Sequence, residues 1–260
     1  MTHFVRTKWV MSPFSTNMSK PIKKSIDPIA CKIPKSPDEK HSMPEANLQS
    51  SDSITWRIFR IMAEFVSGFQ FIAQYEKSVS FFGSARLDQE DRYYQDAQSL
   101  ARKLGNAGFN IVTGGGPGVM EAANRGAHEA GVNSIGLNIQ LPFEQRINRF
   151  VTRGMGFHYF FTRKVMLSAA GQAYVYFPGG YGTLDEFFEI ITLIQTKKME
   201  RIPIVLFGSD FWGPLDGYIK AVVRDKYRTI NPEDAELYTV CDSVQEAFKI
   251  LSNSKPRQDF

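Results

Sequence analysis

The stretch Ala173-Tyr174-Val175-Tyr176-Phe177-Pro178-Gly179-Gly180-Tyr181-Gly182-Thr183-Leu184-Asp185-Glu186 packs a strand, a tight turn and a helix start into consecutive residues. Residues 173–177 form an unbroken apolar run, as a strand covered on both faces requires. From Thr183 to residue 197 the apolar positions recur at helical spacing. Strand, glycine-rich turn and helix together make half of a βαβ unit.

The same alternation extends in both directions. Strands are expected at 79–82, 109–112, 134–137, 149–152, 203–207 and 237–241. Helices are expected at 91–107, 117–130, 159–170, 214–224 and 244–251. Strands that alternate with helices predict a parallel sheet covered on both faces, an α/β, Rossmann-like doubly wound fold in a single domain over residues 78–253. An extra N-terminal helix is expected within residues 53–77, because Trp56, Phe59, Ala63, Val66 and Phe69 recur every three or four residues. Its aromatic stripe suits a packing face or a contact with a second subunit. Residues 1–52 are expected to be a flexible basic tail, and residues 254–260 a short C-terminal tail.

Charge is unevenly placed. Residues 1–50 carry eight Lys or Arg against four acids, so the tail alone accounts for the net +4, and the remaining 23 basic and 23 acidic residues cancel. A neutral folded body is a poor footprint for nucleic acid, so none is expected as a partner. No apolar run approaches the ~18 residues of a membrane span, and no membrane partner is expected. Cys31 and Cys241 are the only cysteines, and Cys31 lies in the polar tail. A disulfide framework is therefore not expected, and a cytoplasmic location is. No acid precedes Asp27, which a transit peptide would also show, but the tail has no clear amphipathic stripe, so a flexible basic tail is the preferred reading. The four histidines show no metal-ligand spacing, so neither metal nor cofactor is expected.

In a doubly wound sheet, ligands bind at the carboxyl ends of the strands. Three strand ends here are unusual: Gly83-Ser84-Ala85-Arg86, Thr113-Gly114-Gly115-Gly116-Pro117-Gly118, and the quoted Pro178-Gly179-Gly180-Tyr181-Gly182-Thr183. One such turn is only a turn. Several, each feeding a helix N-terminus, make a site for an anion, because bare backbone N–H groups converge there. No turn completes the GxGxxG of a dinucleotide site, and none ends in the GK[ST] of a Walker loop. One phosphate group is therefore the expected anion. Thr183-x-x-Glu186 also spells a capping box, in which Glu186 would reach back to the helix start. Arg163 shares a helix face with Met166 and Ala170, which points its charge toward the apolar side.

Pro178-Gly179-Gly180-Tyr181-Gly182-Thr183-Leu184-Asp185-Glu186 resembles the PGGxGTxxE signature of the Lonely Guy (LOG) family. These are cytokinin riboside 5′-monophosphate phosphoribohydrolases, long mislabelled lysine decarboxylases. Gly114-Gly115-Gly116-Pro117-Gly118-Val119-Met120 resembles the family's GGGxxGxM turn, and Arg163-Lys164 with Met166 its RKxxM segment. The resemblance implies hydrolysis of the N-glycosidic bond of a nucleoside 5′-monophosphate, AMP or a cytokinin riboside monophosphate, to free base and ribose 5-phosphate. It implies Arg163 and Glu186 as the catalytic pair. Gly180, Gly182 and Thr183, with Gly179, would hold the phosphate, and Ser84, Gly114, Gly115, Gly116, Lys164 and Met166 would line the substrate pocket. It also implies a homodimer or larger homo-oligomer.

Two positions depart from the plant members: Phe161 stands where they have His, and Glu121 where they often have Gly. The pattern is more similar to a longer bacterial branch, for which AMP is a natural substrate. A non-catalytic nucleotide or cofactor carrier on the same fold is the alternative expectation. Lysine decarboxylation is not expected, because no lysine sits in a setting suited to a pyridoxal phosphate Schiff base.

Overall fold

A computed structural model of the chain describes residues 51–139 and 147–256. The expected tail before residue 51 and the last four residues lie outside the described residues. Seven strands form one parallel sheet in the order β4-β3-β2-β1-β5-β6-β7, with every pair parallel. They are β1 (Ser78–Phe82), β2 (Asn110–Thr113), β3 (Ser134–Ile139), β4 (Arg153–Phe157), β5 (Ala173–Tyr176), β6 (Ile204–Phe207) and β7 (Thr239–Cys241). The helices are α1 (Ser51–Ile72), α2 (Arg92–Asn106), α3 (Val119–Glu129), α4 (Phe160–Ala170), α5 (Tyr181–Gln195), α6 (Ser209–Tyr218) and α7 (Val244–Ser252). This is the doubly wound α/β architecture that the alternating pattern implies.

Side chains alternate across the sheet, so each strand feeds two cores. Val79, Phe81, Val175 and Phe177 pack under α2, α3 and α7. Phe82, Tyr174, Tyr176 and Leu206 pack against α4, α5 and Trp212 of α6. Stacked rings join the two central strands on both sides: Phe82 with Tyr176 at 5.0 Å and Phe81 with Phe177 at 6.2 Å. The chain winds outward from β1 to β4, returns to β5 beside β1, and winds outward again to β7. The order therefore reverses between β1 and β5, which places a crevice at their carboxyl ends.

Three expectations need correction. The fourth strand is Arg153–Phe157, not 149–152. Residues 148–152 turn instead, with Val151 N donating to Asn148 O and Thr152 N to Ser134 O. The true strand carries glycines at 154 and 156 and has no apolar alternation, because an edge strand is held by its ladder to β3. The helix expected at 214–224 starts earlier, at Ser209. Gly208 turns the chain at φ +103, and Asp242 accepts the Ser209 N–H at 2.7 Å. Pro214 sits inside that helix rather than at its first turn, and Ile219–Lys226 continues it in wider π-type turns. Finally, α5 begins at Tyr181 with Gly180 as its N-cap and no side-chain cap. Thr183 and Glu186 therefore do not form a capping box. Among the described residues no helix is long and apolar enough to cross a membrane.

Candidate active site

The glycine turns after β1, β2 and β5 meet in the crevice, and Ser84 links them. Its N–H donates to Pro178 O at 2.9 Å, and its carbonyl accepts the Val119 N–H at 3.0 Å. Its hydroxyl accepts the Arg86 N–H at 3.1 Å, which closes the first turn on itself. Gly118 has φ +71 and lies so close to Ser84 and Ala85 that any Cβ would collide with their backbone. Only glycine serves there. A Cβ on Gly179 would strike Thr183. By contrast, a Cβ on Gly180 or Gly182 would meet nothing within 4 Å. The fold itself does not require bare backbone at these two positions, and the space beside them is open. The first helical bond of α5 runs from Leu184 N to Gly180 O at 3.1 Å. The amides of Tyr181, Gly182 and Thr183 precede it, and the positive end of the helix dipole adds to their pull on an anion.

A buried polar network fixes the second glycine turn. Gly115 N donates to Thr113 Oγ1 at 2.9 Å, and Thr113 Oγ1 pairs with Asn124 Oδ1 at 2.7 Å. Asn148 Nδ2 reaches Gly115 O, Gly116 O and Asn124 Oδ1 at 3.2, 3.0 and 2.9 Å. Asn124 Nδ2 in turn donates to Ser134 Oγ at 2.8 Å. Interlocked bonds of this kind hold a backbone shape that glycines alone would leave loose. Neither asparagine was legible as a site residue. The available signal was Asn124, a polar residue among Ala122, Ala123 and Ala127 on a buried helix face.

Two cations project from α4. Arg163 Nε donates to Leu137 O at 2.8 Å, and its guanidinium lies against the glycine turn at Gly114. A Cβ on Gly114 would sit 2.5 Å from Arg163 Nη2. Burial lowers the Arg163 pKa, and the charge of Glu186 opposes that shift. Lys164 pairs with Asp185 at 2.8 Å and Glu189 at 3.3 Å on α5. Burial alone would lower its pKa, but the hydrogen bond to Asp185 and the charge of Glu189 outweigh it. Met166 is fully buried against α1, where a Cβ on Gly68 would lie 2.6 Å from its sulfur. It belongs to the core rather than to the glycine crevice.

Glu186 is 7% exposed, and its Oε2 has no hydrogen-bond partner. Burial pushes its carboxyl up to about 7, with Glu189 adding to the shift and Lys164 and Arg163 restraining it. A buried carboxylic acid with a free oxygen, titrating near neutrality beside an arginine, is equipped to exchange a proton or to face a developing positive charge. The two departures from the plant pattern have local partners. Phe161 packs against Phe65 of α1, with ring centroids 6.4 Å apart, and Glu121 accepts a bond from Tyr94 at 3.3 Å. Among the described residues no cluster of three or more His, Cys, Asp or Glu could hold a metal ion.

The chain is similar to known proteins in sequence and in fold. A family described as "Possible lysine decarboxylase" matches residues 120–251, which carry α3 to α7. The chain is 25% identical over 178 residues to a cytokinin riboside 5′-monophosphate phosphoribohydrolase of Rhodococcoides fascians, covering 67% of this chain and 89% of that one. It is 27% identical over 189 residues to a protein of the same name from Arabidopsis thaliana, covering 70% and 80%. Among solved structures, the molybdenum cofactor carrier protein of Chlamydomonas reinhardtii shares the fold with a TM-score of 0.51. It is 23% identical and covers 66% of this chain and 94% of that one. The match spans half of the chain and both segments that build the crevice's charged wall, α4 and α5; the chain belongs to the Lonely Guy family, to which the description "possible lysine decarboxylase" is attached.

Proposed function

We propose that the protein hydrolyses the N-glycosidic bond of a nucleoside 5′-monophosphate, with AMP or a closely related purine nucleotide as substrate, releasing free base and ribose 5-phosphate. The observation that carries this reading is Glu186: a buried carboxyl with an unpartnered oxygen, in the helix whose start carries the open backbone of Gly180 and Gly182. Breaking the bond places positive charge on the ribose ring. An ionised Glu186 near that ring stabilises the charge and orients or deprotonates the attacking water. A purine leaves with a proton on a ring nitrogen, so a second carboxylate is not required. Arg163, bonded to Leu137 O beside the glycine turn, offers a planar fork to ribose or phosphate oxygens.

A non-catalytic carrier on the same fold is the second reading. It accounts for the glycine cradle but gives no task to the buried Glu186 carboxyl. A panel of nucleoside monophosphates, each assayed for free base and ribose 5-phosphate, separates the two. We expect AMP or a related purine nucleotide to be cleaved and adenosine to be spared, since phosphate binding contributes to turnover as well as to affinity. Equal turnover of AMP and adenosine overturns the role of the cradle. Tight binding of a nucleotide with no cleavage of any favours the carrier.

A further inference from the structure

Helix α4 delivers Arg163 and Lys164 to the crevice, yet it does not secure its own start. Its N-cap is Tyr159, with no side-chain cap, and its first turn holds no acidic residue. The missing acceptor comes from α1, about ninety residues earlier. Glu64 Oε1 accepts the His158 N–H at 2.7 Å; Glu64 Oε2 accepts the Thr162 hydroxyl at 2.6 Å and the Tyr159 N–H at 3.4 Å. A carboxylate at a helix N-terminus also opposes the positive end of the dipole. Gly68, one turn further along α1, brings the helices together: a Cβ there would press on Met166 at 2.6 Å and on Phe157 at 3.3 Å. Glu64 lies outside the residues that the family match covers.

We propose that Glu64 is a positioning residue: by clamping the start of α4 it fixes where Arg163 stands against Gly114 and Glu186. Thr162, which Glu64 holds, immediately precedes Arg163 in the first turn of the helix. Arg163 then has two anchors, the Glu64 clamp behind it and Leu137 O in front at 2.8 Å. Release of the clamp lets the first turn fray, and the guanidinium leaves the glycine turn. A misplacement of about 1 Å at a reacting centre can lower the rate ~10²-fold. The inference rests on the hydrolase reading for its consequence, though not for its geometry.

The test uses the full chain with Glu64→Ala and Glu64→Gln, and Thr162→Val as a second route should Glu64→Ala fail to fold. Two readouts are taken: amide exchange across residues 158–164, and the pH profile of AMP hydrolysis. Glu186 is faced by Asp185 and Glu189 on its own helix, by Arg163 and Lys164 from α4, and by Tyr176 from β5. If Arg163 retreats, one of the two cations holding the Glu186 carboxyl down is lost. We expect Glu64→Ala to speed exchange in that segment, to lower kcat/KM at least about tenfold, and to move the acidic limb to higher pH. Glu64→Gln keeps an oxygen for the His158 N–H and recovers part of each change. A rate loss with the limb unmoved means that Glu64 is merely structural, and unchanged exchange means that it is no clamp; either overturns the proposal. If the wild-type protein releases no base from any nucleotide, the hydrolase reading fails instead, and the exchange readout still judges the clamp.

Discussion

Glu186 is held in a costly state. Its carboxyl is buried and pushed up to about 7, so the folded protein favours the protonated form over the range from the ordinary carboxylate value to near neutrality. The folded state binds this proton more tightly than the unfolded chain does. Stability from this residue is therefore full below about pH 4.5 and declines as pH rises through about 7. Glu186→Gln removes that dependence. Thermal unfolding of the variant at pH 8 is expected to show a gain of roughly 1–3 kcal/mol over the wild type, shrinking toward pH 4.5. No gain at pH 8 would mean that the carboxyl is not under this strain. Activity runs the opposite way: only the ionised form faces a positive ribose, so kcat/KM is expected to rise with pH through an acidic limb near 7. A residue that costs stability where it is most active is a common mark of a functional site.

At the scale of elements, the glycine turns divide into two kinds. Gly114 and Gly118 are packed against the protein itself, whereas Gly180 and Gly182 face open space. Gly180→Ala is therefore expected to leave the melting temperature nearly unchanged while raising the KM for AMP. Gly114→Ala displaces Arg163 and is expected to lower kcat as well as stability. Unfolding and steady-state measurements on the pair check this contrast; equal effects on stability would erase it. These turns were legible in the sequence because glycine and proline act on the chain locally. The sheet was legible because apolar runs and helical spacing alternate. What escaped was set by distant partners. The edge strand Arg153–Phe157 has glycines where a covered strand has apolar residues, and only its ladder to β3 defines it. Thr113, Asn124 and Asn148 join through side-chain bonds that no local pattern encodes. Thr183 and Glu186 fit a capping box by spacing alone, and only the start of α5 at Tyr181, with Gly180 as its N-cap, shows that they do not form one.

Across the whole molecule, two layers of function lie on one sheet. The crevice forms where the winding reverses between β1 and β5, and α1 braces α4 from outside. The outer face of α1 exposes Trp56, Phe59, Met62 and Val66, and the start of α4, against which α1 packs, exposes Phe160 and Phe161. Such a face suits contact with a second copy of the chain. A protein that starts at Ser51 keeps α1 and every crevice residue. It is expected to retain the kinetics of the full chain and to sediment as a dimer or larger; a large loss of kcat would give the basic tail a role in catalysis. Hydrolysis at this crevice depends on Glu186. The decisive measurement compares AMP turnover by the wild-type protein and by Glu186→Gln, with AMP binding and unfolding followed on both. Removal of one positioned charge typically lowers a rate ~10²–10³-fold. The expected result is a folded variant that binds AMP and cleaves it at least about a hundredfold more slowly; near-normal cleavage by the folded variant would contradict the account.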